Sequence, residues 1–368
     1  MTDAAAAVTT VETRDLLGLT AALVAVPSVS RAEHALAGAV DARLRSRAPH
    51  LDVERVGDNV IARTQLGRDR RVVLGGHLDT VPPNGNAVPR VAGDVLHGLG
   101  SADMKGGLAV LLALAEDLSA RGRDARHDVT LVFYVGEEIA EEHNGLRDVF
   151  ARRPELVAGD FAILLEPTGG WVEAGCQGTL HLRAVFHGAR AHSARPWTGV
   201  NAIARAAPVL ARVAATVPPP VEIDGLEYTQ ALQLVRVEGG IANNVVPDVC
   251  AFTVNRRFAP SLSLDDARAE TEALLDGADE IEVLNASVAA PPNLDAPLVA
   301  EFVGTLDLAV RPKLGWTDVA RFAAAGIPAL NFGPGDPAVS HTADEHVERE
   351  SLDGCHAVLA HFLGVRRA

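Results

Sequence analysis

Three short apolar runs end in the same way. RRVVLGG runs into His77, VTLVFYVG into Glu137 and Glu138, and FAILL into Glu166. Continuous apolar runs of this length, separated by helical stretches, read as central strands of a mostly parallel sheet with helices on both faces. In such sheets ligands gather outside the carboxyl ends of the strands. Each strand here delivers a metal-ligating residue type to that edge, which points to an α/β fold with a polar mouth. Two adjacent carboxylates at the edge of a core repel each other and lose hydration. Glu137 and Glu138 therefore require either a cation or open solvent.

At 368 residues the chain is longer than one core usually grows, so two domains are expected. Its formal charge of −15 argues against a nucleic-acid or anionic-membrane partner, because phosphate would be repelled. Cys176, Cys250 and Cys355 are odd in number and far apart, which argues against a disulfide framework or a CxxC metal site. The start MTDAAAAVTTVETRD lacks the basic and apolar regions of a signal peptide. GGLAVLLALAEDLSA is broken by Glu116 and Asp117 before it reaches the ~20 residues of a membrane span. These features predict a cytoplasmic protein.

The middle of the chain has a different texture. GTLHLRAVF alternates apolar and polar residues, as a strand with one exposed face does. A helix (VNAIARAAPVLARVAATV), two strands (LQLVRVEGG and CAFTVNRRF), a helix (LDDARAETEALLDG) and a strand (EIEVLN) follow. That β-α-β-β-α-β order is ferredoxin-like. It predicts an inserted α+β domain at 178–290 within a larger α/β domain built from 1–177 and 291–368. VPPPVEIDG reads as a rigid loop inside the insert.

GGHLDTVP supplies His77 and Asp79, two apart on an extended segment and so on one side of it. In this pattern His77 ligates a metal while the Asp79 carboxylate accepts the other imidazole N–H, fixing the tautomer. Asp103, in ADMKGG, is placed to bridge two cations; equally it could cap the helix that follows. GLGSADMKGG fails both the Walker and the dinucleotide-binding spacings, which sets a phosphate cradle aside. Side chains of adjacent residues diverge, so Glu138 can bind metal while Glu137 faces a bound water as general base. A solvated loop extended by Glu141 and Glu142 is the bland alternative for that pair. Glu166 ends a buried strand before a proline turn, where a carboxylate favours a cationic partner. His341, in SHTADEH, is the distant ligand. Together they predict two sites: His77, Asp103 and Glu166 on one cation, and Asp103, Glu138 and His341 on the other. A donor set of O and N without thiolates suits two Zn²⁺ ions, with Co²⁺ or Mn²⁺ as substitutes, and is suited to amide hydrolysis.

GHLDTVP, GLGSADMKGG, GEE, EP and the late histidine, in this order and spacing, resemble the di-zinc family of deacylases and exopeptidases that includes aminoacylases, acetylornithine deacetylase and glutamate carboxypeptidases. EAGCQGTL, ARAHSARPW, GGIANNVVPD, NRRFAP and GWTDVARFAAAGIPALNFGPGDP resemble the desuccinylase branch within it. The resemblance implies hydrolysis of N-succinyl-LL-2,6-diaminopimelate to succinate and LL-2,6-diaminopimelate, a step towards lysine. It implies that His192 of AHS stabilises the tetrahedral oxyanion from the partner subunit of a homodimer, and that the inserted domain serves as lid and dimerisation module. It further implies that Arg257, Asn244, Thr317 and the backbone N–H groups of Gly333 and Gly335 bind the substrate's carboxylates. HTADEH and Gly136 depart from the branch's frequent forms. A deacylase of neighbouring specificity, such as acetylornithine deacetylase, and a non-catalytic metal-binding scaffold are the alternatives; an intact Glu137 speaks against the second.

Overall fold

The computed structural model describes residues 3–366. The chain divides into two compact units. The first is made of the segments up to Ala174, Asn293–Arg311 and from Arg321 onward; the second comprises Gly175–Pro292 and Pro312–Ala320.

An eight-stranded sheet forms the first unit, in the order Asp52–Val56, Asn59–Arg63, Asp128–Tyr134, Arg71–His77, Phe161–Leu164, Ala329–Asn331, Val172–Ala174 and Val310–Pro312. The four strands from Asp128–Tyr134 to Ala329–Asn331 run parallel. Successive side chains on a strand point to opposite faces, so a strand buried along its whole length is covered on both. That is the state of Asp128–Tyr134, Phe161–Leu164 and Ala329–Asn331, and of Arg71–His77 after its first residue. Val72, Leu74, Val129, Leu131 and Phe133 join one core cluster, while Val73 and Val132 are fully buried outside it.

Helix Gly106–Arg121 shows why this side of the sheet is sealed. Its sequence is apolar nearly all round, which only a helix enclosed by other elements tolerates, and 12 of its residues are buried. It packs against helices Leu16–Val24, His34–Arg47 and Arg349–Leu363. The two acids that interrupt its apolar run are both paired: Glu116 with Arg43 at 2.7 Å and Asp117 with His356 at 2.9 Å. Among the described residues, no helix is long and apolar enough to cross a membrane.

The second unit has an antiparallel four-stranded sheet ordered Ala231–Gly239, Val249–Phe258, Gly178–His187 and Glu280–Ser287. Helices Ala202–Ala215 and Leu264–Leu274 contribute Ala202, Ala206, Val209, Val213 and Ala267 to a core shared with Leu180, Leu182, Phe186, Phe252 and Val254. VPPPVEIDG, expected as a rigid loop, instead carries half of a small hairpin, Val221–Ile223 paired with Leu226–Tyr228. The cause is local: Asp224 and Gly225 both adopt positive φ, 52° and 77°, the Asp-Gly signature of a two-residue β-turn.

Candidate metal centre

The parallel ladder fixes where the strand ends fall. His77 lies opposite Tyr134, and Gly75 opposite Leu164. Neighbouring strands sit about 4.8 Å apart, so the residues just beyond these ends, Glu137, Glu138 and Glu166, emerge beside His77. Gly76 lets a fourth segment join them. A Cβ there would meet the Met104 methyl at 2.7 Å. Without one, the Ser101–Lys105 turn lies against the strand and the His77 N–H donates to Met104 Sδ at 3.3 Å.

That turn carries Asp103. Its backbone (φ −119°, ψ 90°) is not helical, and the cap position of the following helix is Lys105, so capping is not its role. Asp103 Oδ1 instead faces His77 Nε2 at 3.1 Å, and Oδ2 faces His341 Nε2 at 3.5 Å. His341 Nε2 also lies 3.0 Å from Glu138 Oε1. One carboxylate therefore turns each of its oxygens to a different imidazole, the arrangement of a bridging ligand.

Three groups of side chains have ligand atoms within 4.8 Å of one another: His77, Asp103 and Glu166; Asp103, Glu138 and His341; and His77, Glu137 and Glu138. The donors are carboxylate oxygens and imidazole nitrogens, a set that fits divalent cations of the zinc, cobalt or manganese kind. His77 and Glu166 are buried, Asp103, Glu137 and Glu138 half-buried, and His341 exposed. His341 adopts φ 64°, a left-handed conformation uncommon outside glycine and often found at functional sites.

The loop bearing the glutamates is held through its backbone. Asp79 Oδ1 accepts the Glu137 N–H and Oδ2 the Glu138 N–H, both at 3.1 Å, while the Ser30 hydroxyl donates to Oδ2 at 2.8 Å. Here the structure differs from the pairing expected for Asp79. His77 Nδ1 is 3.0 Å from the Asp79 backbone carbonyl and 3.6 Å from its carboxylate, so the carbonyl accepts the imidazole N–H. The outcome for His77 is the same: Nδ1 carries hydrogen and Nε2 is free to ligate. Glu33, also buried, accepts the Gly136 N–H. Gly136 is required there, since at φ 72° a Cβ would lie 2.2 Å from the His143 carbonyl oxygen. Glu141 and Glu142 are exposed, so open solvent explains them and not the pair before them.

Electrostatics favour a cation. Burial opposes a charge on His77, yet the Asp103 hydrogen bond and the Glu166, Asp79 and Asp103 charges outweigh it and raise its pKa well above the ordinary value. For Asp103, burial is outweighed by hydrogen bonds from His341 and His77, which hold the carboxyl well below the usual range. Hydrogen bonds to Asp103 and Glu138 push His341 up to about 10. In the metal-free protein at pH 7.5, therefore, His341 holds an extra proton that a ligand must give up, and His77 is shifted in the same direction. Zn²⁺ titrated into metal-free protein at pH 7.5 is expected to release at least the His341 proton, and to bind more weakly as pH falls. Calorimetry in buffers of different ionisation enthalpy reads this directly; uptake without proton release would contradict the imidazole ligands.

In the second unit His192 pairs with Val245 in an isolated bridge, and the Ser193 N–H donates to the Asn244 carbonyl at 2.9 Å. His192 Nδ1 accepts the Ala194 N–H at 3.0 Å, so a neutral ring carries its hydrogen on Nε2. Arg257 is half-buried on strand Val249–Phe258; burial and then its charge push the His181 pKa down. Thr317 is buried, and its carbonyl faces Cys176 Sγ at 3.7 Å. Gly333 and Gly335, in the first unit, are not open donors. Their N–H groups go to Thr168 Oγ1 at 3.2 Å and Ser351 Oγ at 2.8 Å. Nearby hydroxyls capture backbone donors that the sequence pattern leaves unassigned.

The sequence pattern did not single out Ser30, Glu33, Lys105 or Glu345. Lys105 is buried, donates to the Leu23 and Val26 carbonyls at 3.2 and 2.9 Å, and burial lowers its pKa to about 7. All of them reach backbone groups, a function that leaves little trace in side-chain spacing; Lys105 and Glu345 do lie inside the ADMKGG and HTADEH motifs.

Residues 73–364 match the description of Peptidase family M20/M25/M40. A Mycobacterium tuberculosis protein provisionally named succinyl-diaminopimelate desuccinylase is 47% identical over 351 residues, 95% of this chain and 98% of the relative. The succinyl-diaminopimelate desuccinylase of Corynebacterium glutamicum is 44% identical over 359 residues, covering 95% and 97%. An M20 family metallo-carboxypeptidase from Sulfolobus solfataricus shares the fold, with a TM-score of 0.77 over 95% of this chain and 99% of that one at 15% identity. By the extent of the family match and the identity to these relatives, the chain belongs to peptidase family M20/M25/M40.

Proposed function

We propose that this hydrolase cleaves N-succinyl-LL-2,6-diaminopimelate to succinate and LL-2,6-diaminopimelate with two Zn²⁺ ions. His77, Asp103 and Glu166 would hold one ion, and Asp103, Glu138 and His341 the other. When bound, the pair would polarise the amide carbonyl and lower the pKa of a shared water. The observation that carries the hydrolase reading is Asp103, with one oxygen towards His77 and the other towards His341. The substrate comes from the desuccinylase names of the relatives at 44 and 47% identity.

Glu137 takes the proton of the attacking water and returns it to the leaving amine. Asp79 keeps Glu137 and Glu138 in place through their backbone N–H groups. His192 stabilises the developing oxyanion; its tautomer, with hydrogen on Nε2, is the donating form. Arg257, Asn244 and Thr317 recognise the substrate's carboxylates, where a guanidinium locally offsets the chain's negative charge. The second unit acts as the lid and as the surface of a homodimer; its outer strand Ala231–Gly239 leaves Val235 and Val237 more than half exposed. The compartment of action is the cytoplasm.

The test compares turnover of N-succinyl-LL-2,6-diaminopimelate, N-acetylornithine and simple N-acyl amino acids by the zinc-loaded enzyme, with a chelated control. The succinyl substrate is expected to give the highest kcat/KM, and chelation to abolish it. Faster cleavage of a neutral acyl group would overturn the desuccinylase assignment. Absence of metal-dependent hydrolysis on every substrate would overturn the enzyme.

A further inference from the structure

Glu345 is 1% exposed, yet nothing cationic lies within ion-pair distance of its carboxylate among the described salt bridges. It meets three backbone donors instead. Oε2 accepts the Gly100 N–H at 2.9 Å, and Oε1 accepts the N–H groups of Ala102 and Asp103, each at 3.1 Å. The Gly98 N–H also donates to the Glu345 carbonyl at 3.0 Å. The reason is conformational. Gly100 at φ 75° and the non-helical Asp103 turn several successive N–H groups to one side, a concave nest that buried backbone cannot leave unsatisfied.

The same short stretch of chain carries His341, four residues earlier. It is tied down by Asn86 Nδ2 donating to the Thr342 carbonyl at 3.0 Å. One segment thus presents one ligand and grips the backbone of another. We propose that Glu345 is a positioning residue that fixes Asp103 against His341 and so sets the affinity of the metal pair. The inference rests on the metal-site reading above but not on the identity of the substrate. It explains why a buried carboxylate stands where an apolar residue would pack without desolvation cost.

Glu345→Gln keeps the volume but turns one oxygen into an NH₂ that faces a backbone donor. Glu345→Asp keeps the charge and withdraws it by one methylene. Both should weaken zinc binding about 10–100-fold, as loss of a group supporting metal ligands does. Zinc affinities are read by chelator competition on purified protein. His356→Ala serves as the control: it breaks the Asp117 contact eleven residues into helix Gly106–Arg121, about 16 Å from that helix's start. It should lower the melting temperature and leave zinc affinity unchanged. Excess zinc should restore most of the kcat of the Glu345 variants. Wild-type affinity in both Glu345 variants, or an equal affinity loss in His356→Ala, would overturn the positioning role. If Glu345→Gln does not fold, Glu345→Asp decides by the same affinity measurement. Failure of the enzyme on the succinyl substrate would sink that reading alone, because the affinity comparison uses no substrate.

Discussion

Glu137→Ala should retain both metal ions and lose about 10²–10⁴-fold in kcat, the range that a positioned acid–base group supplies. KM should change little, since the missing interaction acts on a proton in flight and not on bound substrate. The basis is the distribution of ligand atoms. The two groups that share Asp103 contain His77, Glu166, Glu138 and His341 but not Glu137. Glu137 lies alongside, close to His77 and Glu138, and its N–H is fixed by Asp79. A carboxylate beside the proposed metal pair, but outside the two groups that share Asp103, is placed to hold the proton of a bound water. Metal content and kcat measured on the same preparation check the point. Loss of one ion would instead make Glu137 a ligand, through its grouping with His77 and Glu138.

Much of this centre was legible because its sequence signals are the ones that also build the sheet. An apolar run fixes a strand, parallel pairing fixes its register, and register alone puts the residues after Tyr134 and Leu164 next to His77. The inserted sheet could be read for a similar reason, its alternation surviving in GTLHLRAVF. What could not be read depends on backbone conformation. The Asp79 carboxylate holds N–H groups and leaves the imidazole to its own backbone carbonyl, because the loop after Val135 reverses at Gly136 and turns two amides towards it. The N–H groups of Gly333 and Gly335 are consumed by the hydroxyls of Thr168, 165 residues away, and Ser351, 16 residues on, which no local pattern links to them. Pro312–Ala320 joins the second unit although the chain had already returned to the first at Asn293. No periodicity marks such a return, since the excursion is nine residues long and its only strand residue is Pro312, the end of Val310–Pro312.

Asp103→Ala should leave a protein with neither metal ion at stoichiometric concentration, and with no measurable hydrolysis. Altering a group that merely supports a ligand costs about 10–100-fold in affinity, so removing the proposed shared ligand should cost more than about 100-fold at each site. Asp103→Asn sharpens the test. An amide offers one oxygen, whose neighbouring nitrogen donates and cannot ligate, so it can serve one ion but not bridge two. At most one equivalent should remain. The metal-free protein reports the same residue independently. His341, raised to about 10, contributes stability fully present below its unfolded pKa near 6.5 and lost as pH rises through about 10. His77 is raised in the same sense by the same carboxylate. Asp103→Ala removes that partner from both rings, so metal-free variant and wild type should differ most in urea midpoint near pH 6 and converge above pH 10. Both ions retained at wild-type ratio in Asp103→Ala would mean that the two imidazoles meet the metals without a shared carboxylate. Equal urea midpoints at pH 6 would mean that the contacts of Asp103 with His77 and His341 carry no free energy.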